Sequence, residues 1–523
     1  MKILVINLTR FGDLLQTQPV LSGFKAKGHE VGLVCLENFS SAGELLSGVD
    51  RIFPLPGARF LAGLNRDWRH GFKDLWEWVE SGYGGYHPDL VVNLTSSIPA
   101  RLMARMAGSE QRGFCLDENG FGFHTNAWAA FLMASSRHRG ASPYNLVDLF
   151  KRAAELPDDR RELSLTAPES GTAGEIVGAM RSEAPRGARG FVALQLGASS
   201  EVRRWPTANF AAVAEKLWQE QGLCSVLLGA KSEKNLGDKF SSACRTPHVN
   251  LIGRTSLTEL ARVLAETRLL LTNDTGTMHL AAGLDVPVAA IFLATAQPWD
   301  TGPYKSGCLC MEPDLDCHPC GFSGKCPSSE ICRQTVTPQS VLLYLHEFFA
   351  GGRWIPQRTE GLRAWRSAMD EQGFMDLESL SGHEAADRSL WIAMQRAIYR
   401  QFIDRGETEG LAWQGAPPSK SFSAGICSEL KEAEKILFLM LEQARAIEQA
   451  PMAMMRKKFM SNWQRLTSRL QENQQLSVLG DLWQEQSHAV SGDAGALQAL
   501  VARYRTLVST FIGFLQCSGM NIE

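Results

Sequence analysis

Long apolar runs are absent from this sequence: no stretch of its 523 residues approaches the roughly 18 apolar residues of a membrane-spanning helix. A secretion signal is missing too. Residues 2–8 form a short apolar strand followed by Thr9-Arg10-Phe11-Gly12-Asp13, with no long h-region and no small-residue cleavage site. The chain is therefore expected in the cytoplasm, peripheral to the inner membrane at most. Excess charge of one sign is absent as well. The 53 Lys and Arg against 56 Asp and Glu give a net charge of −3, which argues against a dedicated nucleic-acid binder. What remains is an ordinary globular composition, in a chain long enough for about two or three domains.

Cysteine is thin over most of the chain. Cys35, Cys115, Cys224, Cys244, Cys427 and Cys517 are scattered, as small buried hydrophobes usually are. The other six of the twelve lie between Cys308 and Cys332. In a cytoplasmic chain such density points to metal or redox chemistry before disulfides. Cys317-x-x-Cys320, followed by Cys326 and Cys332, suits tetrahedral sulfur ligation of zinc or iron. Pro319, Gly321, Gly324 and Pro327 supply turns for such a knuckle. Cys308 and Cys310 offer an alternative pair, and reduced thiols packing a loop are the reading without metal. A metal held by four thiolates would be structural, because no coordination position stays open; catalysis would need no cofactor.

Along the chain, short apolar runs alternate with amphipathic stretches. Strands are predicted at 2–7, 30–36, 51–55 and 89–94, with helices at 14–27 and 98–107. A linker at 186–190 opens a second series, with strands at 191–196, 225–228, 249–252, 268–272 and 286–292. Helices are predicted between them at 207–220, 233–242, 257–266 and 278–284. This alternation is that of a parallel, doubly wound sheet, built twice. After about residue 345 strand signals vanish and no repeat is visible. Helices are predicted at 389–403, 428–448, 451–472, 480–490 and 494–515, with a Pro- and Gly-containing linker at 406–425. The expected architecture is thus α/β, with two Rossmann-like domains at 1–170 and 186–345 facing across a cleft. A cysteine knuckle at 308–332 and an all-helical extension at 355–523 complete it. Packing or oligomerisation, including a homo-oligomer, is the plain role for that extension.

The densest chemistry lies at 271–292. An apolar strand ends in Asn273, Asp274, Thr275 and Gly276, and a small-residue helix begins there. Hydroxyls, a carboxylate and a glycine at a strand's carboxyl end, facing a helix N-terminus, suit a diphosphate. The simpler alternative is a tight βαβ turn with Asp274 as the helix cap.

The run DTGTMHLAAGLDVPVAAIF resembles the nucleotide-sugar motif of glycosyltransferase family 9, the lipopolysaccharide heptosyltransferases. NLTRFGDLLQTQP (7–19) resembles that family's N-terminal loop, and LQLGASS (194–200) with RRWP (203–206) resembles its second phosphate loop. The Cys317–Cys332 cluster resembles one found in part of the family, including iron-binding autotransporter heptosyltransferases, whose spacings differ. The resemblance covers about residues 1–345.

It implies two Rossmann domains of the GT-B type and an inverting transfer of heptose from ADP-heptose to a lipopolysaccharide core acceptor. Asp13 then takes the place of the catalytic base; on residue chemistry alone it could equally cap the helix predicted from Leu14. Arg203 occupies the place of a diphosphate-binding lysine, keeping the charge but offering a bidentate fork. Ser199, Ser200, Asp274, Thr275, Gly276 and His279 would surround the diphosphate, and Glu233 would hold the ribose hydroxyls. Thr95, Ser96 and Arg101 are candidates for the acceptor, in a domain made locally basic by Arg101, Arg105, Arg112, Arg137 and Arg139. The long tail keeps two alternatives open: transfer to protein of the autotransporter or flagellin type, and a non-catalytic nucleotide-sugar-binding scaffold. Retention of Asp13 and Arg203 disfavours the scaffold, which has no need of a base.

Overall fold

The computed structural model describes residues 1–156, 159–168, 172–321, 326, 328–449, 453–490 and 492–516. Apolar runs without polar alternation, such as KILVI and LCSVLL, suit strands buried on both faces. Each becomes one. The first sheet contains β1 (Lys2–Ile6), β2 (Glu30–Leu36), β3 (Arg51–Leu55), β4 (Leu90–Asn93), β5 (Glu110–Leu116) and β6 (Gly122–His124), in the order β3-β2-β1-β4-β5-β6. All its neighbours are parallel except β5 and β6. The second contains β7 (Gly190–Gln195), β8 (Leu223–Leu228), β9 (His248–Asn250), β10 (Leu270–Asn273), β11 (Val288–Ile291), β12 (Leu309–Pro313), β13 (Leu362–Met369) and β14 (Met375–Ser379). Its order is β14-β13-β12-β11-β10-β7-β8-β9, parallel from β9 to β12. In each sheet the chain reverses its winding beside the first strand, between β1 and β4 and between β7 and β10. Ligands bind at such switch points, outside the carboxyl ends of the strands.

β13 and β14 correct the expectation that strands end near residue 345 and that the extension is helical from 355. They join the second sheet antiparallel to β12. Local pattern hides β13 because it carries polar side chains inward. Arg363 is buried with its guanidinium donating to the carbonyls of Pro313 (2.7 Å) and Leu315 (2.8 Å), and Ser367 is buried against Cys308. β12 was also unforeseen. It draws Cys308 and Cys310 into the core, where burial pushes the Cys308 thiol up to about 12.

The two sheets belong to one compact unit, residues Met1–Thr125 with Asn145–Ser381. A buried polar cluster ties them together. Tyr304 donates to Asp148 Oδ1 (2.6 Å), the Met375 amide donates to Asp148 Oδ2 (3.0 Å), and Lys151 donates to the Tyr304 hydroxyl (3.1 Å). Burial pushes the Lys151 ammonium below its usual range.

The second unit, Asn126–Tyr144 with Gly382–Glu523, is helical. It combines helices Asp387–Arg405, Lys420–Gln449, Ala453–Glu472, Ser477–Ala489 and Ala494–Gln516 with Ala127–Arg137, a helix taken from within the expected first domain. That helix is apolar on nearly all sides: Trp128, Ala129, Ala130, Phe131, Leu132 and Ala134 are buried. Phe131 meets Tyr399 edge-on at 5.1 Å, and the Trp128 indole donates to Asp404 at 2.7 Å. Among the described residues no helix is long and apolar enough to cross a membrane.

Asp481 anchors the inserted helix. It is 2% exposed and receives Arg137 and His138, both at 3.4 Å, and Gln471. Burial alone would raise its carboxyl; the hydrogen bonds from His138 and Gln471 and the charges of His138 and Arg137 outweigh that and hold it low. A depressed carboxylate stabilises the fold above its unfolded pKa and loses that contribution as pH falls through the folded value. Asp481→Asn should therefore lower the thermal midpoint at pH 7, by roughly 1–3 kcal/mol of stability. The gap to wild type should close in melts taken below pH 3.8, the ordinary value for this group.

Candidate functional site

The loop after β1 and the loop after β10 meet through two glycines. Helix Phe11–Leu15 lies against helix Gly276–Gly283. A Cβ on Gly12 would stand 3.1 Å from Gly276 Cα and 3.3 Å from His279 Cδ2. A Cβ on Gly276 would stand 2.7 Å from Phe11 Cδ1 and 3.2 Å from the Gly12 nitrogen. Neither position has room for a side chain. His279 is buried in the same contact.

Asp13 sits beside this joint. Helix Phe11–Leu15 begins before it, with Arg10 as N-cap, so Asp13 lies in the first turn and is not the cap of a helix starting at Leu14. Buried Asn7 fixes the loop: its amide donates to Thr17 Oγ1 at 2.6 Å and its carbonyl accepts from the Thr9 amide at 3.0 Å. Thr17 in turn donates to the Asp13 carbonyl at 3.2 Å.

Asp274 does not cap its helix either. Thr275 holds the N-cap position, and the Asp274 carboxylate forms an ion pair with Arg203. The same guanidinium donates to Ser199 Oγ at 3.0 Å. Its Nε is buried and, among the described residues, has no hydrogen-bond partner. Ser200 opens the short turn Glu201–Arg203. Arg204 points back to the Ala198 carbonyl at 3.4 Å.

Asn273 was given no role from sequence, yet it joins the loop after β7 to the end of β10. Fully buried, it accepts from the Trp205 amide (2.8 Å) and donates to the carbonyls of Leu196 (3.0 Å) and Gly197 (3.1 Å). A buried amide with every group satisfied by main chain is a positioning device. Its signal was an Asn at the last place of an apolar strand. Gln195 plays a similar part, bridging Thr277 (3.2 Å) and Glu233 (3.3 Å). The Glu233 carboxylate accepts from the Ala230 amide at 2.8 Å and lies directly over Gly197 and Gly229, where any Cβ would strike it. It therefore stands at the carboxyl ends of β7 and β8.

The acceptor-side candidates divide. Thr95 Oγ1 accepts from the Leu8 amide at 2.8 Å, tying the loop after β4 to the loop after β1. Arg101 is buried, with its guanidinium donating to the carbonyls of Ser96 (3.0 Å), Cys115 (2.9 Å) and Phe123 (3.1 Å). Those bonds make it a strut for the loop rather than a free cation. Only Ser96 of the three is exposed. Of the five arginines expected to make that domain basic, Arg112 pairs with Glu155 (3.1 Å) and Arg137 with Glu485 (2.9 Å).

Of the cysteines, Cys317 and Cys320 are half-buried, Cys326 is exposed and Cys332 is buried. Burial, with the neighbouring thiols of Cys317, Cys332 and Cys326, pushes Cys320 up to about 11. The four are therefore near one another. Among the described residues, however, no group of three or more His, Cys, Asp or Glu side chains is disposed to hold a metal ion. The turns expected at Gly324 and Pro327 lie outside the described residues.

Residues 88–329 match the family model described as glycosyltransferase family 9 (heptosyltransferase). Lipopolysaccharide heptosyltransferase 1 of Pseudomonas aeruginosa is 25% identical over 335 residues, 61% of this chain and 86% of that protein. Lipooligosaccharide heptosyltransferase 2 of Haemophilus influenzae is 34% identical over 98 residues, 18% of this chain and 28% of that protein. Among solved structures, the ADP-heptose LPS heptosyltransferase II of Escherichia coli shares the fold with a TM-score of 0.51 at 20% identity, covering 67% of this chain and 99% of that one. A family 9 glycosyltransferase of Veillonella parvula does so with a TM-score of 0.53 at 17% identity, covering 67% and 97%. The strand-end loops described above and these matches agree: the chain is a glycosyltransferase similar to those of family 9, whose model it matches over residues 88–329.

Proposed function

We propose that this enzyme transfers a heptose from ADP-heptose to an acceptor in the lipopolysaccharide inner core, with inversion at the anomeric carbon and Asp13 as general base. The names of its relatives supply the donor and the acceptor class. The observation that carries the mechanism is the contact of Gly12 with Gly276 and His279, next to Asp13. It brings the one carboxylate of the first loop beside the helix N-terminus of the second.

In this reading the acceptor hydroxyl oxygen forms a bond to the anomeric carbon as the bond from that carbon to the diphosphate oxygen breaks. The hydroxyl proton passes to the Asp13 carboxylate, and ADP departs with the electron pair. Arg203, Ser199, Ser200, Thr275 and the main-chain N–H groups at Gly276 hold the growing charge on the diphosphate. The buried, unpartnered Nε of Arg203 is a donor suited to a phosphate oxygen. Asp274 holds that arginine in place before donor arrives, and His279 adds a donor to the same charge. Glu233 takes the ribose hydroxyls, for which a carboxylate is a good paired acceptor. On the acceptor side Ser96 makes contact, while Thr95 and Arg101 hold its loop.

Asp13→Asn should cost about 10²- to 10⁴-fold in turnover with donor binding nearly unchanged, because the amide cannot take the proton. Turnover near wild type would return Asp13 to a purely structural place in its helix.

Arg203→Ala should weaken donor binding in calorimetry by roughly 1.5–3 kcal/mol. Arg203→Lys keeps the charge without the fork and should fall between the two. Equal affinity in all three proteins would remove Arg203 from the diphosphate site.

Gly276→Val should separate the two loops, since even a Cβ would overlap Phe11. A displacement near 1 Å is enough for about a 10²-fold loss of rate. Steady-state assays should show that loss in a protein whose melting temperature stays close to wild type; unchanged rate would mean the loops need not touch.

A further inference from the structure

Arg203 is the last residue of the turn Glu201–Arg203, and Arg204 continues the chain in extended form. The peptide group that joins Arg204 to Trp205 is held at both of its polar ends. Its N–H donates to Asn273 Oδ1 at 2.8 Å, at the end of β10. Its carbonyl accepts from the Arg333 guanidinium Nε at 3.1 Å, from a residue 129 positions further along the chain. A peptide unit is planar, so fixing both groups fixes the plane and the backbone that presents Arg203. Trp205 is anchored as well: it is 1% exposed, and its indole donates to the Val336 carbonyl at 2.8 Å. Arg333 lies in the short helix Cys332–Thr335, and Val336 follows it directly. The segment after the last clustered cysteine therefore supports the Arg203 loop independently of Asn273.

We propose that Arg333 is a positioning residue for the donor site, holding the Arg204–Trp205 peptide so that the Arg203 fork meets the diphosphate in register. The proposal rests on the reading of Arg203 as a diphosphate ligand and extends donor binding to a residue outside the phosphate loops. Arg333 is itself oriented: its Nη1 pairs at 2.7 Å with the carboxylate of Glu330, three positions earlier. That pair balances the charge Arg333 would otherwise add beside Arg203 and Arg204. Ordering so long a side chain costs rotamer freedom, which a charge-assisted bond to a partly buried main-chain carbonyl outweighs. The chemistry of the fork explains the need. An ammonium in the place of Arg203 would act as a point charge on a flexible stem and tolerate movement of its loop. A planar guanidinium gripping phosphate through two parallel bonds does not. Arg333 acts through Arg203 and makes no contact with the donor.

The test is calorimetric binding of ADP to the full chain, in a double-mutant cycle between Arg203 and Arg333. Arg333→Met keeps the stem without its donors and should weaken ADP binding about tenfold, the order of one charge-assisted hydrogen bond. Arg333→Lys can still donate to the Arg204 carbonyl and should recover most of that loss. Both variants should melt close to wild type. In an Arg203→Ala background Arg333→Met should cost little more, because the side chain it positions is gone. Equal losses in the two backgrounds overturn the proposal, since Arg333 would then touch the nucleotide itself or serve only the fold. Should Arg333→Met not fold, Glu330→Gln releases the guanidinium from its carboxylate. Weaker ADP binding is then expected with Arg203 present and not with Arg203→Ala, and unchanged binding overturns the proposal. Loss of affinity in Arg203→Ala with none in Arg333→Met defeats only the positioning. Wild-type affinity in Arg203→Ala defeats the diphosphate reading on which it rests.

Discussion

Gly12 and Gly276 approach so closely that a methyl group on Gly276 would overlap Phe11 and one on Gly12 would press on the Gly276 backbone. Such contact needs two backbones free of side chains, and it sets the distance between two sheets that otherwise fold on their own strand order. Asp13 inherits its position from that distance, because it is the next residue on a helix only one turn long. Asn7 and Thr17 hold the helix from below. On the other side, the helix that begins at Gly276 starts where β10 ends, so its free N–H groups face the same space. A second joint, Asp148 with Tyr304 and the Met375 amide, is buried and fully polar. One joint is steric, the other hydrogen-bonded.

In the proposed reading the donor side is organised before any ligand is bound. Arg203 would be a mobile cation on an exposed loop if Asp274 and Ser199 did not hold two of its nitrogens. Holding it would lower the conformational entropy that diphosphate binding must overcome. The carboxylate would also compete with phosphate for the same guanidinium, trading affinity for orientation. Asn273 does the corresponding work on the main chain. It fastens the carbonyls of Leu196 and Gly197 and the amide of Trp205 to the end of β10.

Much of this was legible in the sequence where the signal is local. The parallel strands read as apolar runs, and three of the four ordered motifs led to the loops that the fold brings together around Gly12, Arg203 and Gly276. What stayed hidden was non-local. β13 looks polar because Arg363 is buried against carbonyls of Pro313 and Leu315, partners fifty positions away that no local window contains. The spacing of Cys317, Cys320, Cys326 and Cys332 suggested a metal, but spacing does not say which way a thiol points, and among the described residues no group of three or more such side chains is disposed to hold one. Arg101 read as a surface cation; only the fold shows three carbonyls converging on it. Asp13 and Asp274 both looked like helix caps, and both helices begin elsewhere.

The helical unit follows the same lesson at larger scale. Its core includes Trp128, Phe131 and Tyr144, supplied by a segment that interrupts the first unit, and the Trp128 indole reaches Asp404 across 276 positions of sequence. A unit assembled from two distant segments must close a long loop before its contacts form, and loop closure grows costlier with length, though slowly. The five later helices can pair locally, but Ala127–Arg137 is apolar on nearly every side and has no local partner of its own. Its burial therefore depends on chain that is made last. The extension is not an appendage that could be removed at residue 381 without consequence, because the inserted helix would then expose Trp128, Phe131 and Leu132 to water. Burial of three such side chains is worth several kcal/mol, at roughly 1.5–3 kcal/mol each. That is a large share of the net stability of an ordinary domain.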